Sequence, residues 1–182
     1  MELSLILLAE GFEEIEALTP CDVLRRAEFT VNLVSTTDNL YVTGARGITV
    51  KCDMFLKDIN IDNAILLILP GGMPGTTNLK NNPKVIELIR KFANSGKWIA
   101  AICAAPMILG EMELLNGRKA TCYPGYEQYL KGANFLPKPV VTDGKIITGC
   151  AVGAAMEFSL EILKQLAGNK KAEELRSKMH FS

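Results

Sequence analysis

Three continuous apolar runs constrain the fold of this 182-residue chain more than any other feature of its sequence. They lie at Leu3 to Ala9, Ala64 to Leu69 and Trp98 to Ile102, and each is followed by a loop and a helical pattern. Strands that are apolar throughout are typical of parallel sheets, whose two faces are both covered by helices. The alternation of strands and helices therefore predicts an α/β fold with a doubly wound, mostly parallel sheet and helices on both faces.

The remaining elements are predicted from periodicity and from turn residues. The predicted helices are Glu13 to Ala27, Pro83 to Asn94, Ala105 to Glu113, Val152 to Leu166, and a polar helix from Lys170 to Lys178. Further strands are predicted at Phe29 to Ser35 and in two hairpins, Tyr41 to Thr43 with Gly47 to Cys52, and Val140 to Thr142 with Ile146 to Thr148. No repeat or linker divides residues 1–182, so we expect one domain.

Composition and charge disfavour several classes of partner. The 20 basic and 20 acidic residues cancel, and there is no basic stripe of the kind that binds nucleic acid. No positive charge precedes the first apolar run and acids follow it, so we expect neither a signal peptide nor a membrane span. The five cysteines lack Cys-x-x-Cys spacing, which predicts no metal site and favours a reducing, cytoplasmic location.

Cys103 lies where the third apolar run turns into the next helical pattern, among small residues. A strand that turns abruptly into a helix exposes the side chain at the corner, as in a nucleophile elbow, and needs small neighbours there. The following helix directs its first amides at the corner, so we expect a lowered thiol pKa and a reactive thiolate. The same segment also fits a buried cysteine that acts only as a small hydrophobic residue, and the segment alone leaves both interpretations open.

A glycine pair, Gly71 and Gly72, follows the second apolar run. Glycines at the end of a buried strand allow backbone amides to point at an anionic oxygen, which is the geometry of an oxyanion hole. Most Pro-Gly-Gly sequences are plain turns, and this alternative stays open. The segment matches neither a phosphate loop nor a dinucleotide-binding fingerprint.

The acids after the first apolar run include a potential partner for the thiol. Of Glu13, Glu14 and Glu16, we expect at least two to be solvated and to do no more than complement the helix dipole. Glu16 has apolar neighbours, and a carboxyl held there near a thiol would share a proton with it. The one histidine, His180, is close to the carboxyl terminus, which disfavours a Cys-His pair and leaves Glu16 as the partner of a reactive Cys103.

Taken together, three segments resemble the ThiJ/PfpI superfamily in its DJ-one branch, which contains the parkinsonism protein and deglycase-like proteins. The segments are Leu8 to Ala17, Leu69 to Gly72 and Ala100 to Pro106, and the resemblance extends from Leu3 to about Leu166. It implies a flavodoxin-like fold, a homodimer and no cofactor. It also implies that Cys103 is the oxidisable nucleophile and that Glu16 is a protonated glutamate bonded to it. The residues that it implies near the sulfur, the substrate or the dimer interface are Gly71, Gly72, Ala104, Arg46 and Arg26.

Three positions depart from the pattern of that superfamily. Ala104 stands where the protease-like branch has a histidine, which disfavours peptidase activity. Tyr123 stands where many relatives have a pocket histidine, and a tyrosine donates a hydrogen bond but is a poor base at neutral pH. Cys150 stands where relatives often have an arginine, so we expect a less basic pocket.

These residues lead to competing functional hypotheses. The first is a cofactor-independent enzyme of the glyoxalase III or protein deglycase type. In it, Cys103 attacks a small reactive carbonyl or a glycated protein, and Glu16 carries the proton. The second is a non-enzymatic redox sensor or stress chaperone in which Cys103 is oxidised to sulfinate. A third is a scaffold in which the cysteine only packs.

Overall fold

The computed structural model describes residues 3–181, and a seven-stranded sheet lies at its centre. The strands in this range are β1 (Leu3–Leu8), β2 (Thr30–Ser35), β3 (Tyr41–Thr43), β4 (Thr49–Lys51), β5 (Met54–Phe55), β6 (Ala64–Leu69), β7 (Trp98–Ile102), β8 (Lys119–Ala120), β9 (Asn134–Phe135), β10 (Val140–Asp143) and β11 (Ile146–Gly149). The α-helices are α1 (Glu14–Arg26), α2 (Gly75–Asn81), α3 (Pro83–Asn94), α4 (Pro106–Glu111), α5 (Ala155–Ala167) and α6 (Asn169–Lys178). Within residues 3–181, no helix is long and apolar enough to cross a membrane.

The order of the central sheet is β10-β11-β7-β6-β1-β2-β5. β10 pairs antiparallel with β11, and the other neighbours in the sheet pair in parallel. The mostly parallel sheet predicted from the sequence is therefore confirmed. The chain adds β2 on one side of β1 and later adds β6 and β7 on the other side, so the winding direction changes at β1. This change brings the carboxyl ends of β1, β6 and β7 side by side.

Both faces of the sheet are buried, which explains the continuous apolar runs. Along β1, Ile6 and Leu8 belong to the core that includes α1, α5 and α6, whereas Leu5 and Leu7 belong to the core that includes α3 and α4. This alternation is the two-residue period of a strand, and it requires an apolar side chain at every position. Because both faces of each central strand are apolar, helices must cover both faces of the sheet.

Some predicted boundaries differ from those observed. β6, β7 and α3 have the predicted limits. The helix predicted at Ala105 to Glu113 is the shorter α4, because Pro106 favours the first turn and Glu113 takes a left-handed φ of 60°. The helix predicted to start at Val152 begins with a 3₁₀ turn and becomes α5 only at Ala155.

Several short elements were not predicted from the sequence. The strands β5, β8 and β9 have two residues each, which is too short for an alternation to be recognised. α2 carries the polar sequence Gly-Thr-Thr-Asn at its start and has no clear apolar stripe. The β10–β11 hairpin was predicted, but its place in the central sheet was not: β11 pairs in parallel with β7.

Candidate active site

Three loops meet at the carboxyl edge of the sheet, and they are the loops that follow the three continuous apolar runs. β7, β6 and β1 are neighbours, with Leu69 paired with Ala101 and Ile6 paired with Ile68. The loops after these strands carry Cys103, the glycine pair and the start of α1. In open α/β sheets this edge is where ligands bind.

Gly71 lies between Glu16 and Cys103. Its amide donates a 2.8 Å hydrogen bond to Oε2 of Glu16, and its carbonyl accepts a 2.9 Å hydrogen bond from the Glu13 amide. A Cβ atom at this position would lie 2.6 Å from Oε2 of Glu16 and 2.8 Å from Cβ of Cys103. Glycine is therefore required if the carboxyl and the cysteine are to approach the loop from two sides.

Cys103 occupies the turn between β7 and α4 with a φ of 65°, in the left-handed region. Such a conformation costs a non-glycine residue about 1–3 kcal/mol, and the surroundings must hold it in place. The Cys103 amide donates a 2.9 Å hydrogen bond to the Gly149 carbonyl, and its carbonyl accepts a 2.8 Å bond from the Tyr123 amide. The amides of Ala104 and Gly72 hydrogen-bond to the partly exposed sulfur.

Glu16 is a fully buried carboxyl. Burial raises its pKa from 4.5 to about 7, although hydrogen bonds from the Cys103 thiol and the Gly71 amide favour the charged form. Its second oxygen, Oε1, is buried and has no hydrogen-bond partner among the described residues. A carboxyl that titrates near neutral pH can both give and take a proton under physiological conditions.

Burial and the negative charge of Glu16 both raise the pKa of the Cys103 thiol, while the amides of Ala104 and Gly72 lower it. From the following helix we expected a lowered pKa for the Cys103 thiol. That expectation is wrong, because the pKa is raised while Glu16 is ionised. When Glu16 holds a proton, the repulsion disappears and the carboxyl becomes a donor to the thiolate. The two groups thus behave as one couple that shares a proton.

Glu14 is also buried, so the expectation that two of the three acids are solvated is wrong; only Glu13 of the three is partly exposed. Oε1 of Glu14 accepts hydrogen bonds from the amides of Arg46 at 2.8 Å and Ile48 at 3.3 Å. These bonds tie the β3–β4 hairpin to α1. The absence of a side chain at Gly44 allows this approach, because a Cβ there would lie 2.4 Å from Oε1 of Glu14.

Of the other predicted site residues, Arg46 and Tyr123 lie near the site and Arg26 does not. The side chain of Arg46 is largely exposed, with its Nε 3.9 Å from Oε2 of Glu13, at the rim of the site. Tyr123 is bonded to Cys103 through its backbone, and its ring is partly exposed. Arg26 is not brought to the site: it lies in the last turn of α1, where its Nε is 2.5 Å from Oδ2 of Asp22.

A fourth loop joins the three that the sequence indicated. Because β11 lies parallel to β7, its carboxyl end places Gly149 beside Ile102 and leaves Cys150 next to Cys103. The hairpin there was predicted, but no signal indicated that one of its strands adds to the central sheet. Cys150 was placed near the pocket only through the family resemblance, and the pairing of β11 with β7 supplies the structural reason.

Comparisons with known proteins agree with the fold and with the resemblance seen in the sequence. The model of the DJ-1/PfpI family matches residues 4–165. DJ-1 homolog B of Arabidopsis thaliana is 39% identical over 173 residues, which are 94% of this chain and 40% of that protein. This chain therefore spans less than half the length of that relative. A deglycase of Pyrococcus abyssi is 32% identical over 164 residues, which are 89% of this chain and 98% of that protein.

A solved structure extends the likeness to the whole described fold. Oxidized DJ-1 of Toxoplasma gondii superposes with a TM-score of 0.95 at 30% sequence identity, covering 100% of both chains. The flavodoxin-like architecture and the family match agree with each other. We conclude that this chain belongs to the DJ-1/PfpI family.

Proposed function

We propose that this protein is a cysteine-dependent, cofactor-independent enzyme that acts on reactive carbonyls, in the manner of a glyoxalase III or protein deglycase. Cys103 is the nucleophile and Glu16 is the proton carrier. The observation that carries the proposal is a buried glutamate with a pKa of about 7 that interacts with a cysteine held in a left-handed turn. The deglycase of Pyrococcus abyssi supports the same reaction class by its name.

The reaction begins with proton transfer within the couple. Ionised Glu16 takes the thiol proton as the sulfur of Cys103 attacks the aldehyde carbon of a substrate such as methylglyoxal. A hemithioacetal forms, and its oxyanion lies near the Gly72 and Ala104 amides that bond to the sulfur. The adjacent amide of Gly71 holds the carboxyl in position.

The hemithioacetal then rearranges to a thioester of a hydroxy acid. Glu16 returns its proton to the oxyanion, removes the proton from the former aldehyde carbon and delivers it to the neighbouring carbon. The proton of the new hydroxyl passes to the oxygen of that neighbouring carbon, which becomes the hydroxyl of the hydroxy acid. Water hydrolyses the thioester, which releases lactate and the Cys103 thiol. This sequence has no net oxidation, so it needs no external oxidant or reductant.

The rim of the site bears on the choice of substrate. Tyr123 and Arg46 are both exposed there and can donate hydrogen bonds to a second carbonyl or to a carboxylate product. Early glyoxal adducts on proteins contain the same reacting carbon as free methylglyoxal, so glycated proteins are the second proposed substrate class. Arg26 has no place in this mechanism, because it lies at the other end of α1.

The protein is further proposed to act in the cytoplasm as a homodimer. Apolar side chains are exposed at the start of α1 and on the adjacent β3–β4 hairpin, and Ile15 and Ile48 are each 54% exposed. Ile48 lies beside α1 because its amide bonds to Glu14. A second copy of the chain would cover these side chains.

The test is consumption of methylglyoxal by purified protein, with D- and L-lactate measured as products. Wild type is expected to turn over, and Cys103→Ser is expected to be inactive. Cys52→Ala is the matched control, since Cys52 is buried in the core and is expected to play no part. Equal activity in the wild type and Cys103→Ser would contradict the proposal.

A second candidate is a redox sensor in which Cys103 is oxidised to sulfinate. Oε1 of Glu16 lacks a regular partner and can donate a hydrogen bond to a sulfinate oxygen when it is protonated. The Toxoplasma gondii relative is described in an oxidized form, which also favours this candidate. Glu16→Gln separates the two functions: an enzyme loses its rate, whereas a sensor changes only its oxidation profile.

A further inference from the structure

A second thiol, Cys150, lies next to Cys103 across two parallel strands. Ile102 is paired with Gly149, the Cys103 amide bonds to the Gly149 carbonyl at 2.9 Å, and Cys150 follows directly. Neighbouring strands are about 4.8 Å apart. Disulfides join cysteines whose Cα atoms are about 4.4–6.8 Å apart. The pairing ends at Ile102 and Gly149, and from the spacing of neighbouring strands we expect the Cα atoms of Cys103 and Cys150, one residue further, to be close enough for a disulfide.

Cys122 is the other thiol near this edge, because it precedes Tyr123, whose amide bonds to Cys103. Cys122 is 2% exposed and belongs to the core on the α3 and α4 face, whereas Cys103 packs against the opposite core. Cys150 is only partly buried. The charge of Glu16 raises the pKa of both Cys103 and Cys150, and the charge of Cys150 also raises the pKa of Cys122, so Cys150 lies near Glu16 and near Cys122.

We infer that Cys150 is a resolving thiol, which forms an intrachain disulfide with Cys103 after a hydroperoxide has oxidised Cys103. The inference rests on the proposed reactivity of Cys103 and adds a modification that the carbonyl reaction does not need. The disulfide is also an alternative to the sulfinate as the oxidation product of Cys103. Cys103 would be recovered from the disulfide by a thiol reductant, whereas a sulfinate is not reduced by thiols.

The steps balance in atoms and electrons. The Cys103 sulfur attacks one oxygen of the hydroperoxide, the O–O bond breaks, and an alcohol or water leaves with the thiol proton, so that a sulfenic acid remains. The Cys150 sulfur then attacks the Cys103 sulfur, the S–O bond breaks, and water leaves with the Cys150 proton. Two thiols lose two electrons to the hydroperoxide, and a dithiol such as dithiothreitol returns them when it reduces the disulfide.

The experiment treats full-length protein with a molar equivalent of hydrogen peroxide, blocks free thiols and digests without reduction. Trypsin places each of the five cysteines in a different peptide, since Arg or Lys residues separate all of them. Mass spectrometry should find the peptide of residues 98–118 linked to that of residues 146–164, and dithiothreitol should release both. Cys150→Ser should abolish this link and raise the fraction of Cys103 sulfinate several-fold.

Cys122→Ser is the matched control, and it should leave both the link and the sulfinate fraction as in the wild type. Oxidation of Cys103 to sulfinate without any 103–150 link would overturn the inference and leave the proposed function intact. Equal fractions of Cys103 sulfinate in the wild type and in Cys150→Ser would do the same. A 103–122 link in place of the 103–150 link would also overturn it. Absence of any oxidation or alkylation at Cys103 would overturn both proposals together.

Discussion

Two buried glutamates lie two residues apart on α1 and face different parts of the molecule. Glu14 faces the β3–β4 hairpin, and one of its oxygens accepts two backbone amides from that hairpin. Glu16 faces the carboxyl edge of the sheet, where it accepts one amide, from Gly71, and contacts the Cys103 thiol. Each has a second oxygen that is buried without a regular hydrogen bond.

The difference shows that burial alone does not make a carboxyl chemically reactive. Backbone amides are too weakly acidic to give a proton to a carboxylate at neutral pH, so the contacts of Glu14 serve to hold the hairpin in place. A thiol can give up its proton, and the pKa of Glu16 is raised by burial to about 7, where such an exchange is balanced. We therefore treat Glu14 as a structural anchor and Glu16 as half of a reactive couple.

The largest expected effect is the loss of activity in Glu16→Gln. The amide keeps the size of the carboxyl but cannot carry the proton, and positioned general acids and bases contribute about 10²–10⁴-fold to rates. We expect kcat/KM for methylglyoxal to fall by about that factor, measured by loss of substrate. Glu14→Gln, which keeps an acceptor oxygen for the hairpin amides, should stay close to wild type. Similar losses in both variants would remove the distinction between the two glutamates.

The second effect is a pH dependence of stability that belongs to Glu16. Its pKa of about 7 in the folded protein lies above 4.5, so the folded state binds the proton more tightly than the unfolded chain does. The free energy of unfolding should therefore fall as the pH rises from about 4.5 to about 7, by up to about 3 kcal/mol at about 1.4 kcal/mol per pKa unit.

Urea unfolding of wild type and Glu16→Gln at several pH values in this interval measures the effect. In Glu16→Gln the free energy of unfolding should lack the part of the decline that is due to Glu16. The difference in unfolding free energy between the variant and the wild type should therefore change with pH. A constant difference across the interval would mean that Glu16 does not titrate there.

The third effect is a loss of stability in Glu14→Ala. This change removes the acceptor of two part-buried hydrogen bonds from the hairpin, and each such bond contributes about 0.5–1.5 kcal/mol. In a chain of this size each kcal/mol lowers Tm by about 2–4 °C. Thermal unfolding measures the loss, which Glu14→Gln should largely avoid. An unchanged Tm in Glu14→Ala would show that the hairpin does not depend on this anchor.

The smallest expected effects are those of the two arginines. Arg46 is largely exposed at the rim, and exposed ion pairs contribute at most about 1 kcal/mol, so Arg46→Ala should lower kcat/KM by less than about tenfold. Arg26→Ala should leave kcat/KM unchanged, because Arg26 pairs with Asp22 at the far end of α1. A larger loss in Arg26→Ala than in Arg46→Ala, measured by steady-state kinetics, would contradict the placement of the two side chains relative to the site.

Much of the fold was predictable because its central strands are buried on both faces. The runs at Ala64–Leu69 and Trp98–Ile102 are strands with the predicted limits, and the apolar stripe of Pro83–Asn94 marks α3. The two-residue strands and α2 lack such a pattern, since tertiary contacts and not local periodicity determine them. The position of β11 beside β7 was not predictable from the hairpin signal alone.

The candidate site was predictable in its members more than in its electrostatics. The three loops and the contact of Glu16 with Cys103 follow from the order of the strands and from the glycines. The burial of Glu14 was not predicted, because an acid in a first helical turn is usually solvated. The raised pKa of the thiol was also missed, since it depends on the burial of the thiol and on the distance to a charge on another loop.

The most direct test of the central claim is the pH dependence of Cys103 alkylation in wild type and Glu16→Gln, followed by mass spectrometry of residues 98–118. If the two groups form one couple, the wild-type rate should rise through an apparent pKa of about 7, the value at which Glu16 loses its proton. In Glu16→Gln this step should disappear, and the thiol should titrate in a single step above about pH 7 but below the pKa that it has beside an ionised Glu16, because burial still raises that pKa while the negative charge is gone. Identical profiles in the two proteins, or a slow rise near the free-cysteine value of about 8.5 in both, would contradict the account.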